Sequence, residues 1–390
     1  MSLDPRDPIA LTQALVRCES VTPAEGGALT LLESVLRPAG FTCHRMTFSE
    51  PGTPDVENLY ARFGTAEPHI CFAGHTDVVP PGNLEAWSVP PFAGEIKDGI
   101  LYGRGTVDMK GGVACFAAAA LRHLAASGGK IGGSISFLIT GDEEGPSING
   151  TMKVLEWLRE RGEVVSDCIV GEPSNPEALG DEIKVGRRGS LTVEIVVHGK
   201  QGHAAYPQKA ENPLPKLVRI LDRLSSAEID GGTRHFEPSN LQATVISVPN
   251  RAANVIPAEA RATFNIRYND TWRRPTIEAW VRDQCAAAAA TVDARYDLAF
   301  AGTGDVFLTS PGVLVDTLSA AVQAETGRTP ALTTGGGTSD ARFIKDLCPV
   351  VEFGLVNKTI HAVDEHVPVS DLVTLTAIYE RFLARYFAGS

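Results

Sequence analysis

No CxxC pair occurs in this chain, and its seven cysteines, at 18, 43, 71, 115, 168, 285 and 348, are scattered. An odd, dispersed set excludes a disulfide framework and a thiolate zinc site and reads as free thiols in a reducing compartment. Any bound metal must then be held by imidazole and carboxylate. The opening MSLDPRDPIA has neither the basic start nor the apolar run of a signal peptide. The most apolar stretch, 113–121, is too short and too rich in alanine to cross a bilayer. No GxGxxG follows a strand-like segment, and the Gly-rich run 335–340 lacks the GK[ST] ending of a phosphate loop, so nucleotide binding is rejected. Basic charge is in deficit: 35 Lys and Arg against 47 Asp and Glu leave a net charge of -12. That balance argues against nucleic acid or an anionic membrane as partner. The expectation is a cytoplasmic protein acting on small molecules.

What is present is apolar material enough for more than one core. The 390 residues are 43% hydrophobic and 21% charged, which suits two domains at roughly 150 residues each. Helical patterns cover 7–20 and 26–38. Strand patterns at 69–73, 134–140 and 167–170 then alternate with helical ones at 110–127 and 150–161, implying parallel βαβ units. After Arg188 the texture changes: strand 191–197, helix 213–225, strands 241–248 and 259–268, helix 276–290, strand 294–301. This β-α-β-β-α-β order is the ferredoxin-like arrangement. Beyond Gly304 the α/β pattern resumes with a helix over 311–325, a strand over 350–353 and a last helix over 369–386. The predicted organisation is an α/β domain with a mostly parallel sheet, formed by 1–188 and 304–390, into which an α+β domain of 189–303 is inserted.

Chemistry-bearing residues follow the predicted strands of the first domain. His75 and Asp77 come after 69–73, Glu143 and Glu144 after 134–140, Glu172 after 167–170, and His361 shortly after 350–353. Asp108 stands in the loop before the Ala-rich helix. In open parallel sheets the carboxyl ends of the strands share one edge, where ligands bind. So much negative charge beside two imidazoles calls for a cation. Imidazole and carboxylate without thiolate suit zinc, cobalt or manganese. About six ligands fit two metals sharing a bridging carboxylate, which can hold a bridging water and lower its pKa. A carboxylate outside the metal shell must then move protons, and adjacent glutamates can divide those tasks. Taken singly, each residue has a plainer reading: a structural His, a turn acid at Asp77, solvated charge at Glu143-Glu144. In the inserted domain, His203 lies in a Gly-flanked turn, and Arg188, Arg267 and Asn254 are candidates for gripping a carboxylate or an oxyanion. Gly335-Gly336-Gly337-Thr338 reads as a backbone nest for a carboxylate.

His75-Thr76-Asp77-Val78-Val79-Pro80-Pro81-Gly82, Gly103-Arg104-Gly105 with Asp108-Met109-Lys110-Gly111, Asp142-Glu143-Glu144, Gly171-Glu172-Pro173 and His361 together resemble the M20 dinuclear zinc peptidase and deacylase family. Gly186-Arg187-Arg188-Gly189-Ser190, Gly202-His203-Ala204-Ala205-Tyr206-Pro207, Asn254-Val255-Ile256-Pro257 and Gly336-Gly337-Thr338-Ser339-Asp340 with Arg342-Phe343 point, within it, to members that cleave a succinylated diamino acid. The resemblance implies two zinc ions per subunit, with cobalt or manganese able to substitute. Asp108 is expected to bridge them, His75 and Glu172 to complete one site, and Glu144 and His361 the other. Glu143 is expected to be the general acid/base and Asp77 to orient His75. His203 is expected to reach the active site of a partner subunit, making a homodimer necessary, with the inserted domain serving as dimerisation lid. Arg188, Ser190, Tyr206, Asn254, Arg267, Gly337 and Thr338 are expected to line the substrate site. The implied reaction is hydrolysis of N-succinyl-LL-2,6-diaminopimelate to succinate and LL-2,6-diaminopimelate, a step of lysine and diaminopimelate biosynthesis. The alternatives are acetylornithine deacetylation or another acyl-amino-acid hydrolysis, and, from another class, metal binding without catalysis.

Overall fold

The structure is a computed structural model that describes residues 3–388. The chain divides into two compact units. One comprises the residues up to Val185, Thr309–Thr333 and those from Ser339 onward; the other comprises Gly186–Leu308 and Thr334–Thr338. The insertion is thus wider than the expected 189–303. Gly186–Arg187 pairs antiparallel with Phe307–Leu308, and this two-stranded ribbon belongs to the inserted unit. Thr334–Thr338 joins that unit because Thr334 Oγ1 donates to the His235 carbonyl and Arg187 Nη1 donates to the Gly335 carbonyl at 2.8 Å.

The first unit is mixed α/β with a mostly parallel central sheet. Its eight strands lie in the order Thr42–Phe48, Val56–Phe63, Ser134–Thr140, His69–His75, Asp167–Val170, Val350–Glu352, Glu182–Lys184, Ala331–Thr333. The central four run parallel. Thr42–Phe48 and Val56–Phe63 add an antiparallel hairpin on one side, and Glu182–Lys184 meets Val350–Glu352 antiparallel on the other. Every residue of His69–His75 and Ser134–Thr140 is buried. Strands covered on both faces have no solvent side to show, so both read as predominantly apolar runs without polar alternation.

Helix Lys110–Ser127 lies on strand His69–His75 and packs against helices Pro8–Val16 and Val369–Ala388. Its alanines are small enough for neighbours to approach on several sides, and residues 110–121 are all buried. At its start Gly112 permits a close backbone approach, since a Cβ there would lie 2.6 Å from the Gly171 carbonyl oxygen. Gly354 meets the same segment: its Cβ would lie 2.4 Å from Gly171 O and 2.5 Å from Glu172 O. A side chain at Gly112 would push apart the elements that carry Asp108 and Glu172, and one at Gly354 would push the end of strand Val350–Glu352 away from Glu172. Among the described residues no helix is long and apolar enough to cross a membrane.

The second unit is a four-stranded antiparallel sheet in the order Asn240–Ser247, Glu259–Tyr268, Gly189–His198, Arg295–Gly304. Helices Pro213–Ser226 and Arg274–Ala290 belong to the same apolar core. Leu191, Val193, Ile195 and Val197 alternate along the strand and are all fully buried in that core, with Ile220 and Val281. Period-two alternation of this kind is the mark of a sheet with one face on helices and one toward solvent.

Candidate metal centre

The parallel strands bring their carboxyl ends to one edge, and the predicted residues gather there. His75 ends its strand fully buried. Its Nε2 lies 3.2 Å from Asp108 Oδ1 and 3.7 Å from Glu172 Oε1. Its Nδ1 lies 2.8 Å from the main-chain oxygen of Asp77. A ring nitrogen donating to a carbonyl fixes the tautomer and leaves the other nitrogen free to ligate. His361, held in a left-handed conformation with φ 59°, places Nε2 2.8 Å from Glu144 Oε1 and 3.3 Å from Asp108 Oδ2. The two oxygens of Asp108 therefore face two different imidazoles, each with a further carboxylate beside it. Among the described residues, two groups have ligand atoms close enough to share an ion: His75, Asp108 and Glu144, and His75, Glu143 and Glu172.

The carboxylate of Asp77 does something the sequence did not suggest. Its Oδ1 is 3.6 Å from His75 Nδ1, beyond hydrogen-bond reach, so the main-chain oxygen is what orients the ring. The carboxylate instead accepts from the main-chain N–H of Glu143 at 3.3 Å and of Glu144 at 3.0 Å. Asp142 secures the far side of that turn, its Oδ2 accepting from Ile148 N at 2.8 Å and Asn149 N at 2.9 Å. The pair of glutamates is thus held by two aspartates.

Charge in the cluster is unbalanced. Burial, with the carboxylates of Asp340, Glu144 and Asp108, pushes Glu143 up to about 8. Burial, with Asp108 and Glu143, drives Glu172 well above the usual carboxylate range. Burial alone would lower His75, yet Asp108, Glu172, Asp77 and Glu143 together hold it well above an ordinary imidazole. Hydrogen bonds to Asp108 and Glu144 raise His361 to about 10. Burial opposes ionisation of Asp108, but the two imidazoles win and keep it low. A site that pulls protons onto both imidazoles and onto Glu143 and Glu172 has a place for positive charge. Hard carboxylate and borderline imidazole donors fit divalent zinc, cobalt or manganese in that place.

Reasoning from sequence missed two residues around the cluster. Lys110, fully buried, donates from Nζ to the Cys18 carbonyl at 2.7 Å, and burial lowers it to about 8. Glu365, also fully buried, accepts from the loop that carries Asp108. A Glu four residues after His361, in a loop of mixed polarity, has no pattern to mark it.

The remaining candidates lie in the second unit. Ser190 stands opposite Arg267 in the strand register. Arg267 is close enough to Arg188 and Arg187 that burial, then their charge, lowers its pKa. Arg188 Nη1 is 3.2 Å from Glu237 Oε2. His203 pairs in register with Val255, and Ala204 N donates to the Asn254 carbonyl at 2.8 Å, so His203, Tyr206 and Asn254 share one exposed corner. The His203 and Tyr206 rings lie 5.6 Å apart. Gly337 and Thr338 are exposed in the segment that joins this unit.

The model for peptidase family M20/M25/M40 matches residues 71–385. A succinyl-diaminopimelate desuccinylase of Methylobacterium nodulans is 60% identical over 383 residues, 98% of this chain and 96% of that protein. Aminopeptidase PepT from Bacillus cereus is similar in structure, with TM-score 0.79 and 21% identity, over 98% of this chain and 99% of that one. So is the YXEP protein of Bacillus subtilis, described as a dinuclear metal binding peptidase of the M20 family. Its TM-score is 0.71 and its identity 16%, over 98% and 97% of the two chains.

Proposed function

The chain belongs to peptidase family M20/M25/M40, and from that premise we propose that it hydrolyses the amide of N-succinyl-LL-2,6-diaminopimelate, releasing succinate and LL-2,6-diaminopimelate. The observation that carries the reading is Asp108, whose two oxygens face His75 and His361 at 3.2 and 3.3 Å with Glu172 and Glu144 beside them. The 60% identical desuccinylase supports the choice of substrate. Asp108 would bridge two zinc ions, His75 and Glu172 completing one site and Glu144 and His361 the other; cobalt or manganese can stand in. When bound, the metals supply a water of lowered pKa and polarise the scissile carbonyl.

The chain's own residues do the rest. Glu143 accepts a proton from the attacking water and returns it to the diaminopimelate nitrogen as the C–N bond breaks, leaving succinate as carboxylate. A group that shuttles a proton works best with a pKa near the working pH, and burial lifts Glu143 in that direction. Asp77 keeps Glu143 and Glu144 in register through their N–H groups. Arg188 and Arg267, beside Ser190, supply the cationic pocket that a succinyl carboxylate needs and an acetyl group does not, and Arg binds carboxylate bidentately. Tyr206, Asn254, Gly337 and Thr338 complete the substrate site. His203 donates to the oxygen that gains negative charge, from a second subunit.

The homodimer this requires is supported by an exposed edge. Strand Asn240–Ser247 ends its sheet with Val245 50% and Ile246 61% exposed, and an unpaired apolar edge is a template for a second strand. Seven free thiols support a cytoplasmic location. The test is to follow loss of amide absorbance with succinyl-diaminopimelate and acetylornithine side by side, before and after chelation. Chelator-sensitive cleavage of the succinyl compound alone supports the reading. Preference for acetylornithine keeps the metal chemistry and sinks the substrate, and no cleavage of either by metal-loaded protein favours metal binding without catalysis.

A further inference from the structure

Asp108 can bridge two ions only if the loop before helix Lys110–Ser127 is fixed, and one side chain fixes it. The Glu365 carboxylate accepts four hydrogen bonds from that loop. Oε1 takes the N–H of Val107 at 2.9 Å and of Asp108 itself at 3.1 Å. Oε2 takes the N–H of Gly105 at 3.0 Å and Arg104 Nη1 at 2.8 Å. Two other amides of the loop bond elsewhere, Arg104 N to Pro91 O and Thr106 N to Gly103 O. Consecutive N–H groups converging on one point make a nest for an anion, and here the anion is supplied by the chain.

Glu365 is itself held from behind. Gly103 N donates to its carbonyl at 2.9 Å, and the following strand, His366–Pro368, pairs antiparallel with Ile100–Tyr102. Arg104 and Glu365 are 2% and 0% exposed, so the buried carboxylate has its counter-charge. Arg104 Nη2 also reaches the His361 carbonyl at 3.4 Å. One carboxylate therefore ties the loop of Asp108 to the loop of His361.

We propose that Glu365 is a positioning residue for the metal centre, setting Asp108 in its bridging place before any metal arrives. The inference rests on the two-metal reading above. A bridging ligand serves both ions, so a displacement of its main chain weakens both sites together. Glu365→Gln keeps the size but offers one acceptor oxygen and one NH2 group, itself a donor, to four donors. Glu365→Asp keeps the charge and shortens the reach. Partners of metal ligands typically contribute about 10–100-fold to metal affinity.

Chelator-stripped full-length protein is titrated with zinc against a chromophoric chelator, and the visible spectrum of the cobalt-loaded protein is recorded. The expected result is a fall in zinc affinity of about 10–100-fold for folded Glu365→Gln, a smaller fall for Glu365→Asp, and an altered cobalt spectrum. A purely structural role would lower the melting temperature of the metal-free protein and leave zinc affinity and cobalt spectrum at wild-type values, which overturns the proposal. If Glu365→Gln does not fold, hydrogen exchange in the metal-free wild type decides. Protection of the Val107 and Asp108 amides before metal addition supports presetting; exchange at open-loop rates until zinc is added overturns it. A wild type that takes up no zinc sinks the metal reading itself, whereas a zinc-binding wild type matched by its variants sinks only this inference.

Discussion

Replacing Asp77 with Asn separates two tasks that a carboxylate beside a metal-ligating His can perform. The substitution keeps shape and turns one acceptor oxygen into a donor. In the structure the two oxygens accept from Glu143 N at 3.3 Å and Glu144 N at 3.0 Å, whereas His75 is oriented by the Asp77 main-chain oxygen at 2.8 Å. Asn can keep its oxygen on the shorter contact, and its amide then faces the Glu143 N–H donor to donor. Losing one hydrogen bond to a buried charged acceptor costs about 1.5–3 kcal/mol. If that cost appears in the barrier, at about 1.4 kcal/mol per tenfold, kcat falls roughly 10–150-fold. Zinc affinity should change by less than about tenfold, because the main-chain contact to His75 is untouched. Steady-state kinetics at saturating zinc and a competitive zinc titration measure the two effects separately. A variant with normal kcat at saturating zinc but zinc affinity weakened by more than about tenfold would refute the reasoning, since the carboxylate would then be what orients His75.

Glu143→Gln should lower kcat by about 10²–10⁴-fold and leave zinc content unchanged; loss of one zinc equivalent would instead make Glu143 a ligand, as its closeness to His75 and Glu172 permits. Ile246→Lys puts a charge on the exposed edge strand and should give a monomer in sedimentation velocity with unchanged zinc affinity and no hydrolysis; a fully active monomer would remove His203 from the mechanism. His69 is fully buried between the Val164 carbonyl and Ser136 Oγ, and burial lowers its pKa from 6.5 to about 4. The unfolded chain then binds the extra proton first, so stability present above pH 6.5 is lost as pH falls toward 4, by about 3 kcal/mol in all. Denaturant unfolding of metal-free protein across that range should show a shallower pH slope in His69→Gln; an unchanged slope would assign the loss to other groups.

Much of the fold was legible because burial leaves a trace in the order of residues. The mainly apolar runs at 69–73 and 134–140 are strands covered on both faces, and the alternation from Leu191 to Val197 is a strand covered on one. The hairpin Thr42–Phe48 and Val56–Phe63 escaped because TCHRMTF carries polar groups on an edge strand, where only Cys43 is buried. The short strands Glu182–Lys184 and Ala331–Thr333 have too few residues to show a period. The ribbon at Gly186–Arg187 and Phe307–Leu308 is two residues deep, so the unit boundary moved with a pairing that no local pattern announces.

Sequence by itself determined the donor set: without a thiolate pair, the residues at the strand ends are imidazoles and carboxylates whatever the fold does with them. It also determined that those ends share an edge, since parallel strands with helical crossovers must all point the same way. Only the tertiary structure decided which donor faces which. That Asp108 turns one oxygen to His75 and the other to His361, that Asp77 serves the glutamates through its carboxylate and His75 through its carbonyl, and that Glu365 gathers the N–H groups beneath Asp108 are contacts across 2 to 260 positions of chain. Hydrogen bonds are settled in space at about 3 Å, and residue order has no term for that distance.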